Sequence, residues 1–311
     1  MGGNMTKFIA TLALVLVCVA QGPFAQAHGA KDVEHKLCDF APENDLRIPD
    51  GLERTGGITR AEYDLAIDRI ERIYKDIVKQ KGAELEINRL WTNTQVNANA
   101  TRKGNKWIIN AFGGLARYEH NTFDGEMMVL CHELGHHMGG FPKYPGIFGG
   151  SWASNEGQSD YFATMKCFRR VIENDDNISI VSKMDVPVEV SRGCQLGFRS
   201  AKEIAICKRS AMTGRVLAVL LYHLGRGSNT SSPVVTPEFN TPSATQVSST
   251  NDKHPQAQCR LDTYFAGAIC GVSKDIEFSD REGIKGACNQ EKGDAFGFRP
   301  RCWYKPDTLR F

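Results

Sequence analysis

Two histidines and a glutamate form the stretch of the sequence whose spacing points most directly to metal chemistry. The run from Cys131 to His137 contains the pattern His-Glu-x-x-His at His132, Glu133 and His136. Positions i and i+4 of an α-helix lie on the same face, so both imidazoles could bind one ion. Glu133 would lie beside that ion, where its carboxylate could take a proton from an attacking water. The alternative is an amphipathic helix that carries two surface histidines.

The third ligand distinguishes two kinds of zinc site. A catalytic zinc needs three protein ligands and one open position. The metzincin pattern would use Gly139 as its glycine and place the next ligand at Pro142, whose side chain cannot bind a metal. Glu156 follows His136 after nineteen intervening residues, which leaves room for a loop and an antiparallel helix. The sequence therefore predicts His132, His136 and Glu156 as the ligands of one Zn2+ per chain.

Asp160 comes one helical turn after Glu156 and would face the same side of a helix. Its carboxylate could accept a hydrogen bond from the far ring nitrogen of a ligand histidine and so fix the tautomer of that ring. The alternative for both carboxylates is a pair of solvated charges on a helix surface. His137 points away from His136 and is expected at the surface or behind the ligands.

Capping residues and hydrophobic periodicity predict the elements that position these side chains. The hairpin turn, with Gly104 and Asn105, joins two β-prone runs just before the motif helix. Residues 174–199 show no clear pattern and are expected to be irregular. The predicted helices cover 59–81, 125–138, 155–173 and 200–224, and the predicted strands cover 84–91, 95–100 and 106–111.

The first residues have the composition of a secretory signal. Lys7 precedes the apolar run 8–20, and Ala25-Gln26-Ala27 offers a cleavage site. The predicted organisation is a signal peptide over 1–27, an N-terminal strap or pro-segment over 28–57, a core over 58–226, a mobile Ser/Thr/Pro-rich loop over 227–253 and a Cys-rich cap of the same domain over 254–311.

Cysteine usage and charge narrow the setting of the protein. The chain has ten cysteines, and loss of Cys18 with the signal leaves nine, which is typical of an exported chain with disulfides. Since nine is odd, Cys131 inside the motif helix is expected to stay outside the disulfides. A net charge of +2 gives no basic field for nucleic acid. No segment after the signal is long and apolar enough to span a membrane. We expect export to a bacterial periplasm or the extracellular medium.

Several stretches beyond the metal motif resemble the HtpX/CAAX-prenyl-protease-like zinc peptidases, peptidase family M forty-eight, a compact gluzincin group. The resemblance spans roughly residues 84–170 and one later patch. It differs in two respects, because the best-known branches carry membrane helices and because the cysteines from Cys259 to Cys302 are not part of the general pattern. The stretches that carry it are Val96-Asn97-Ala98, Trp107-Ile108-Ile109-Asn110, Gly114-Leu115, Asp124 to His136, Glu156 to Ala163, and His254-Pro255 with Arg260.

This resemblance implies an α+β fold, with a minigluzincin-like zinc-peptidase domain, a small sheet packed on the motif helix and a disulfide-tied C-terminal segment. Glu133 would be the general base, and His254 would either stabilise the oxyanion or cover the metal. Arg260 would be a structural ion-pair partner of the site. An extended polypeptide substrate would pair with an edge strand over 106–111. The residues of that strand assigned to substrate binding are Trp107, Ile108, Ile109 and Asn110.

The predicted function is that of an exported zinc-dependent metalloendopeptidase that hydrolyses extended or unfolded polypeptides. The alternative is a cell-envelope quality-control or assembly factor with chaperone-like binding and little catalysis. A latent enzyme gated by the 227–256 loop is compatible with the first hypothesis. Glu133 favours the enzyme, since a purely structural metal site has no use for a base.

Overall fold

The computed structural model describes residues 1–2, 38–51, 56–145, 151–225 and 235–306. Two predicted segments lie partly outside these ranges. They are the signal peptide, from residue 3 onward, and the first residues of the loop predicted at 227–253. The described residues from Cys38 onward form one compact unit of mixed α and β structure.

Four strands form one small sheet: β1 (Cys38–Asp39), β2 (Glu84–Leu90), β3 (Ala98–Lys103) and β4 (Lys106–Phe112). Their spatial order is β1-β3-β4-β2. β3 and β4 form the predicted hairpin, whose turn contains Gly104 at φ +60°. This left-handed backbone is accessible to glycine without steric cost. β1 pairs antiparallel with β3, and β2 pairs parallel with β4.

The prediction that residues 106–111 form an edge strand is wrong. β4 lies inside the sheet and pairs with β3 on one side and with β2 on the other. Because neighbouring strands use its backbone groups, a substrate strand has no place to add to it. The edges of the sheet are β1 and β2. Strand order depends on pairing between distant segments, which the local pattern of β4 does not contain.

The first helix, α1 (Arg60–Gln80), forms where the sequence predicts it. Thr59 caps it with a reciprocal capping box, in which its hydroxyl accepts from Glu62 N–H and the Glu62 carboxylate accepts from Thr59 N–H. One apolar face of α1 is fully buried against β2 and the motif helix. Its largest buried side chains are Tyr63, Ile67, Ile70, Tyr74 and Val78.

Two helices carry the predicted ligands. The motif lies on α3 (Phe123–Met138), which Thr122 caps by accepting a hydrogen bond from Gly125 N–H at 3.0 Å. Glu156 is the first residue of α4, which Asn155 caps by accepting from Gln158 N–H. The single helix predicted over 155–173 is instead three consecutive pieces: α4 (Glu156–Phe162), a π-helical turn over Ala163–Phe168, and α5 (Arg169–Val171).

A glycine allows α3 and α4 to approach closely. A β-carbon on Gly135 would lie 2.9 Å from both Cα and the carbonyl oxygen of Ser159. That distance is shorter than van der Waals contact, so any larger residue would push α4 away from α3. The close approach lets a side chain at the start of α4 reach the imidazoles on α3.

The expectation that residues 174–199 are irregular is wrong, because two short helices form there. The second of them buries just Val190 and Cys194, so its apolar pattern is too weak to predict. A disulfide from Cys194 to Cys207 joins it to the next helix. The remaining helices are α2 (Gly113–Ala116), α6 (Asn177–Val181), α7 (Val188–Gly197), α8 (Ala201–Gly225), α9 (Ala257–Ile269) and a 3-10 turn over Gln290–Lys292.

The loop predicted at 227–253 contains no helix or strand where the structure describes it, from residue 235 onward. It is nevertheless hydrogen-bonded to the C-terminal segment, because Val247 N–H donates to Arg301 C=O at 2.9 Å and Asn251 N–H donates to Trp303 C=O at 2.8 Å. These bonds fix the chain just before His254.

The prediction that Cys131 stays outside the disulfides is wrong. It bonds to Cys167, since packing of α3 on the π-helical turn brings the two Cα atoms to 5.5 Å. Cys38, in β1, is buried and takes part in none of the four bonds. Four disulfides favour an oxidising compartment. Among the described residues the bonds are Cys131–Cys167, Cys194–Cys207, Cys259–Cys302 and Cys270–Cys288.

Among the described helices, none combines the length and the apolar character needed to cross a bilayer.

Candidate metal centre

The three predicted ligands meet in the structure. His132 and His136 project from one face of α3, with ring centroids 4.8 Å apart and ring planes almost perpendicular. Glu156 reaches them from the start of α4, with Oε2 at 3.3 Å from His132 Nε2 and Oε1 at 3.7 Å from His136 Nε2. One ligand atom from each residue lies within 4.8 Å of the other two.

The donor atoms of this group fit a metal ion. His132 Nε2, His136 Nε2 and Glu156 Oε2 are all buried, and none has a hydrogen-bond partner in the described part of the protein. Metal bonds of about 2.0–2.1 Å in a tetrahedral arrangement place neighbouring ligand atoms about 3.3 Å apart. His132 Nε2 and Glu156 Oε2 are separated by 3.3 Å, and all three ligand atoms lie within 4.8 Å of one another. Buried polar atoms without partners are costly, and an ion at their centre would satisfy all three.

The far nitrogens of both histidines are already bonded, which orients their Nε2 atoms toward the centre. His132 Nδ1 lies 2.7 Å from Asp160 Oδ1, and His136 Nδ1 lies 2.8 Å from Ser154 C=O. Arg260 in turn donates to both Asp160 oxygens at 2.7 Å, through Nε and Nη2. Asp160 thus lies where its spacing from Glu156 predicts, with Arg260 as its ion-pair partner. The Asp160 contact fixes the tautomer of His132, and the Ser154 contact fixes that of His136.

The two histidines differ in charge because their neighbours differ. Burial by itself lowers the pKa of His132, but the charge and hydrogen bond of Asp160 more than offset this and raise that pKa to about 9. Burial lowers the pKa of His136 to about 4, so this ring is neutral near pH 7. The two rings therefore differ in how strongly they hold a proton, and a metal ion at their Nε2 atoms competes with that proton.

Glu133 lies beside the ligand group and is fully buried. Neither of its carboxylate oxygens has a hydrogen-bond partner among the described residues. Burial raises the pKa of Glu133 well above its usual value, and the nearby charges of His132 and Glu156 act on it in opposite directions. A carboxylate without partners beside a cation site is available to exchange protons with a bound water or substrate.

His254 also lies at the ligand group, although it is far away in sequence. Its Nε2 is 3.4 Å from Glu156 Oε2 and 2.7 Å from Asp39 C=O. The ring is held in place by the hydrogen bond to Asp39, so it can act as a donor at the edge of the site. The structure thus brings His254 to Glu156 and Glu133 to the histidines.

The strand residues assigned to substrate binding lie elsewhere. Ile109 is in the core, and the Asn110 amide bonds to side chains of β2 and β3. Trp107 stacks on His137 at 5.4 Å, and the Ile108 carbonyl lies 3.3 Å from His137 Nε2. His137 is therefore buried between β4 and Trp152, and the expected surface position is wrong.

Comparisons with known proteins give no relative for this chain. No protein-family model matches it, no curated protein matches it significantly, and no solved structure does. The resemblance to the M forty-eight peptidases stays a prediction, and the chemistry of the site rests on its own geometry.

Two residues at the site are absent from the sequence predictions. The Tyr144 hydroxyl donates to Glu156 Oε1 at 2.6 Å, and the Phe40 ring meets the His132 ring edge-on at 5.4 Å. Neither belongs to a motif, and Phe40 lies 92 residues before His132 in the chain. Only the tertiary structure brings them to the ligands.

Proposed function

We propose that this protein is an exported zinc-dependent metalloendopeptidase that hydrolyses peptide bonds of extended or unfolded polypeptides. The observation that supports this proposal is the convergence of His132 Nε2, His136 Nε2 and Glu156 Oε2, all buried and without hydrogen-bond partners, next to the equally unpartnered carboxylate of Glu133. Two imidazoles and one carboxylate form a donor set typical of catalytic zinc sites in peptidases.

Each residue of the site has a distinct role in this mechanism. His132, His136 and Glu156 would hold the zinc ion, which supplies Lewis acidity and makes water nucleophilic near neutral pH. Glu133 accepts the proton of the attacking water and later donates it to the leaving amine. His254 donates a hydrogen bond to the developing oxyanion. Asp160, held by Arg260, keeps His132 in the tautomer that presents Nε2 to the ion.

The alternative, a cell-envelope assembly factor with chaperone-like binding, also has an observation in its favour. His132, Glu133, His136 and Glu156 are all at most 1% exposed, which is the burial expected of a structural metal site. Glu133 opposes this alternative, because a fully buried carboxylate that ligates nothing destabilises the fold unless chemistry requires it.

Replacement of Glu133 by Gln tests the proposal. Purified protein without the signal peptide should contain one zinc per chain, measured by metal analysis, and should cleave unfolded casein. Glu133→Gln should keep the zinc and lose at least about a hundredfold in cleavage rate, since general-base catalysis contributes at least that factor. Glu126→Gln is the matched control, because Glu126 is an equally buried glutamate on α3 outside the ligand group. If the wild type cleaves casein and Glu133→Gln cleaves it at the same rate, the mechanism is refuted.

A further inference from the structure

Residues 38–41, the covering segment, lie along the edge of the sheet next to the metal ligands. Its first two residues form β1, in antiparallel register with β3. Phe40 N–H extends the ladder by donating to Ala98 C=O at 3.0 Å. The Asn97 side chain then bonds both backbone groups of Ala41, accepting from its N–H at 2.9 Å and donating to its carbonyl at 3.2 Å. The covering segment is thus an added strand that β3 and the Asn97 side chain hold through its backbone.

The carbonyl groups of this segment are held by the residues around the metal ligands. His254 Nε2 lies 2.7 Å from Asp39 C=O, and Arg260 Nη1 donates to Phe40 C=O at 2.8 Å. The Phe40 ring fills the space beside His132 and beneath the Arg260 guanidinium, which lies 5.0 Å from its centroid. Successive carbonyls are therefore bound by one donor each, and the side chain between them packs on a ligand ring.

The covering segment closes the site. Phe40 and Ala41 are completely buried, and so are His132 and Glu133 behind them. A polypeptide needs direct access to the ligand group for hydrolysis, and this arrangement leaves it none. The backbone interactions of the segment are those that an extended substrate makes when it adds to a sheet edge, with main-chain pairing for affinity and side-chain pockets for specificity.

We infer that the covering segment occupies the groove in which the polypeptide substrate binds, so that the protein is latent until residues 38–41 leave β3. This inference rests on the proposed function and identifies β3, not β4, as the strand that receives the substrate. It also specifies a substrate class. The pocket beside His132 takes a large aromatic side chain, and the next position, where Ala41 is fully buried, takes a small one.

Intramolecular binding explains why a short segment is enough to keep the groove closed. A segment joined to the same chain has an effective concentration in the millimolar range, so a substrate with similar contacts competes poorly. Weakening the segment without changing the groove should therefore open the site to peptides and to metal chelators. Phe40→Ala removes the ring from the pocket, and Ala41→Pro removes the N–H that donates to Asn97, so both variants weaken the segment and leave the groove residues unchanged.

The test measures access to the site without relying on catalysis. In a Glu133→Gln background, which prevents cleavage, we expect a fluorescent peptide with the sequence of residues 38–44 (Cys38 replaced by Ser) to bind the zinc-loaded Phe40→Ala and Ala41→Pro proteins at least tenfold more tightly than the protein with an intact segment. Zinc loss to excess chelator should also be at least tenfold faster in both. Phe239→Ala is the matched control, since Phe239 is a buried phenylalanine in a separate cluster around α7 and α8.

The peptide itself supplies a second comparison. A version with Ser in place of Phe40 should bind at least tenfold more weakly, because the aromatic pocket stays empty. If both segment variants are folded by circular dichroism, and neither binds the peptide nor releases zinc faster than the Phe239→Ala control, the inference is wrong. If Phe40→Ala does not fold, Ala41→Pro alone decides.

The outcome also separates this inference from the proposed function. Variants that bind the peptide and retain Glu133 should cleave casein faster than wild type. Peptide binding without any cleavage would support the groove and refute the peptidase, whereas cleavage without peptide binding would refute the groove and leave the peptidase intact.

Discussion

Replacing Asp160 by Asn tests whether the buried ion pair behind His132 sets the metal affinity. Asp160 is completely buried and uses its two oxygens for three contacts of 2.7 Å, one from His132 Nδ1 and two from Arg260. Asparagine has one carbonyl oxygen and no negative charge, so it cannot serve both partners. Its amide would also face a donor on one side, which removes the constraint on the His132 tautomer.

The size of the effect follows from these contacts. Loss of a hydrogen-bonding partner behind a metal ligand typically weakens metal binding about 10–100-fold, which corresponds to about 1.4–2.7 kcal/mol. Arg260 is just 1% exposed and would lose its paired carboxylate. Breaking a buried pair by removing one partner costs about 3–5 kcal/mol of folding stability. We therefore expect both a weaker zinc complex and a lower free energy of unfolding.

The assay is a zinc titration in competition with a chromophoric chelator, together with urea unfolding of the metal-free protein. Asp175→Asn is the matched control, because Asp175 also bonds two arginines, Arg69 at 2.6 Å and Arg209 at 2.8 Å, but lies outside the ligand group. It should lose stability and keep the zinc affinity of the wild type. A folded Asp160→Asn protein with unchanged zinc affinity would refute the assigned role of Asp160.

Three further predictions concern the fold around the site. Burial raises the pKa of Glu126 from 4.5 to about 7. Between these two pH values the folded state binds more protons than the unfolded state. The free energy of unfolding therefore falls as the pH rises from 4.5 to about 7. Glu126→Gln should remove this fall, on the order of 3 kcal/mol, when urea unfolding is compared at pH 5 and pH 8; equal pH dependence in both proteins would contradict it. Replacing Cys131 and Cys167 together by Ala should lower the free energy of unfolding by about 2–4 kcal/mol, measured under non-reducing conditions with the wild type as reference. Gly157→Ala would place a β-carbon 2.2 Å from the Trp303 indole, so α4 must shift. We expect lower thermal stability and weaker zinc binding than in the control Gly82→Ala. An unchanged zinc affinity would show that α4 tolerates the shift.

Local sequence determines the ligand helix and its neighbours. The His-Glu-x-x-His pattern places His132 and His136 on one face because helical periodicity is fixed by backbone geometry. Caps at Thr59 and Thr122 start α1 and α3 close to where the sequence predicts them. Glu156 and Asp160, one turn apart, face the same site once a helix forms. All of these features depend on residues within a few positions of each other.

The pairings across the chain are decided by tertiary structure alone. β4 lies inside the sheet because β2 adds to it in parallel, and Cys131 forms a disulfide because the π-helical turn packs on α3. Neither partner is marked in the local sequence. The short helices α6 and α7 also escape prediction, because they bury too few apolar residues to show a periodic pattern.

The position of the covering segment over the ligand group also depends on tertiary structure. The sequence determines that one helix can present two imidazoles and a base, and that a following helix can supply a carboxylate. It does not determine that Phe40 and Asp39 lie over them, because contacts between residues more than 90 positions apart depend on how the whole sheet and its helices pack. Local geometry therefore sets which donor atoms the ligand group presents, whereas the packing of the N-terminal strand on β3 sets which residues lie over them.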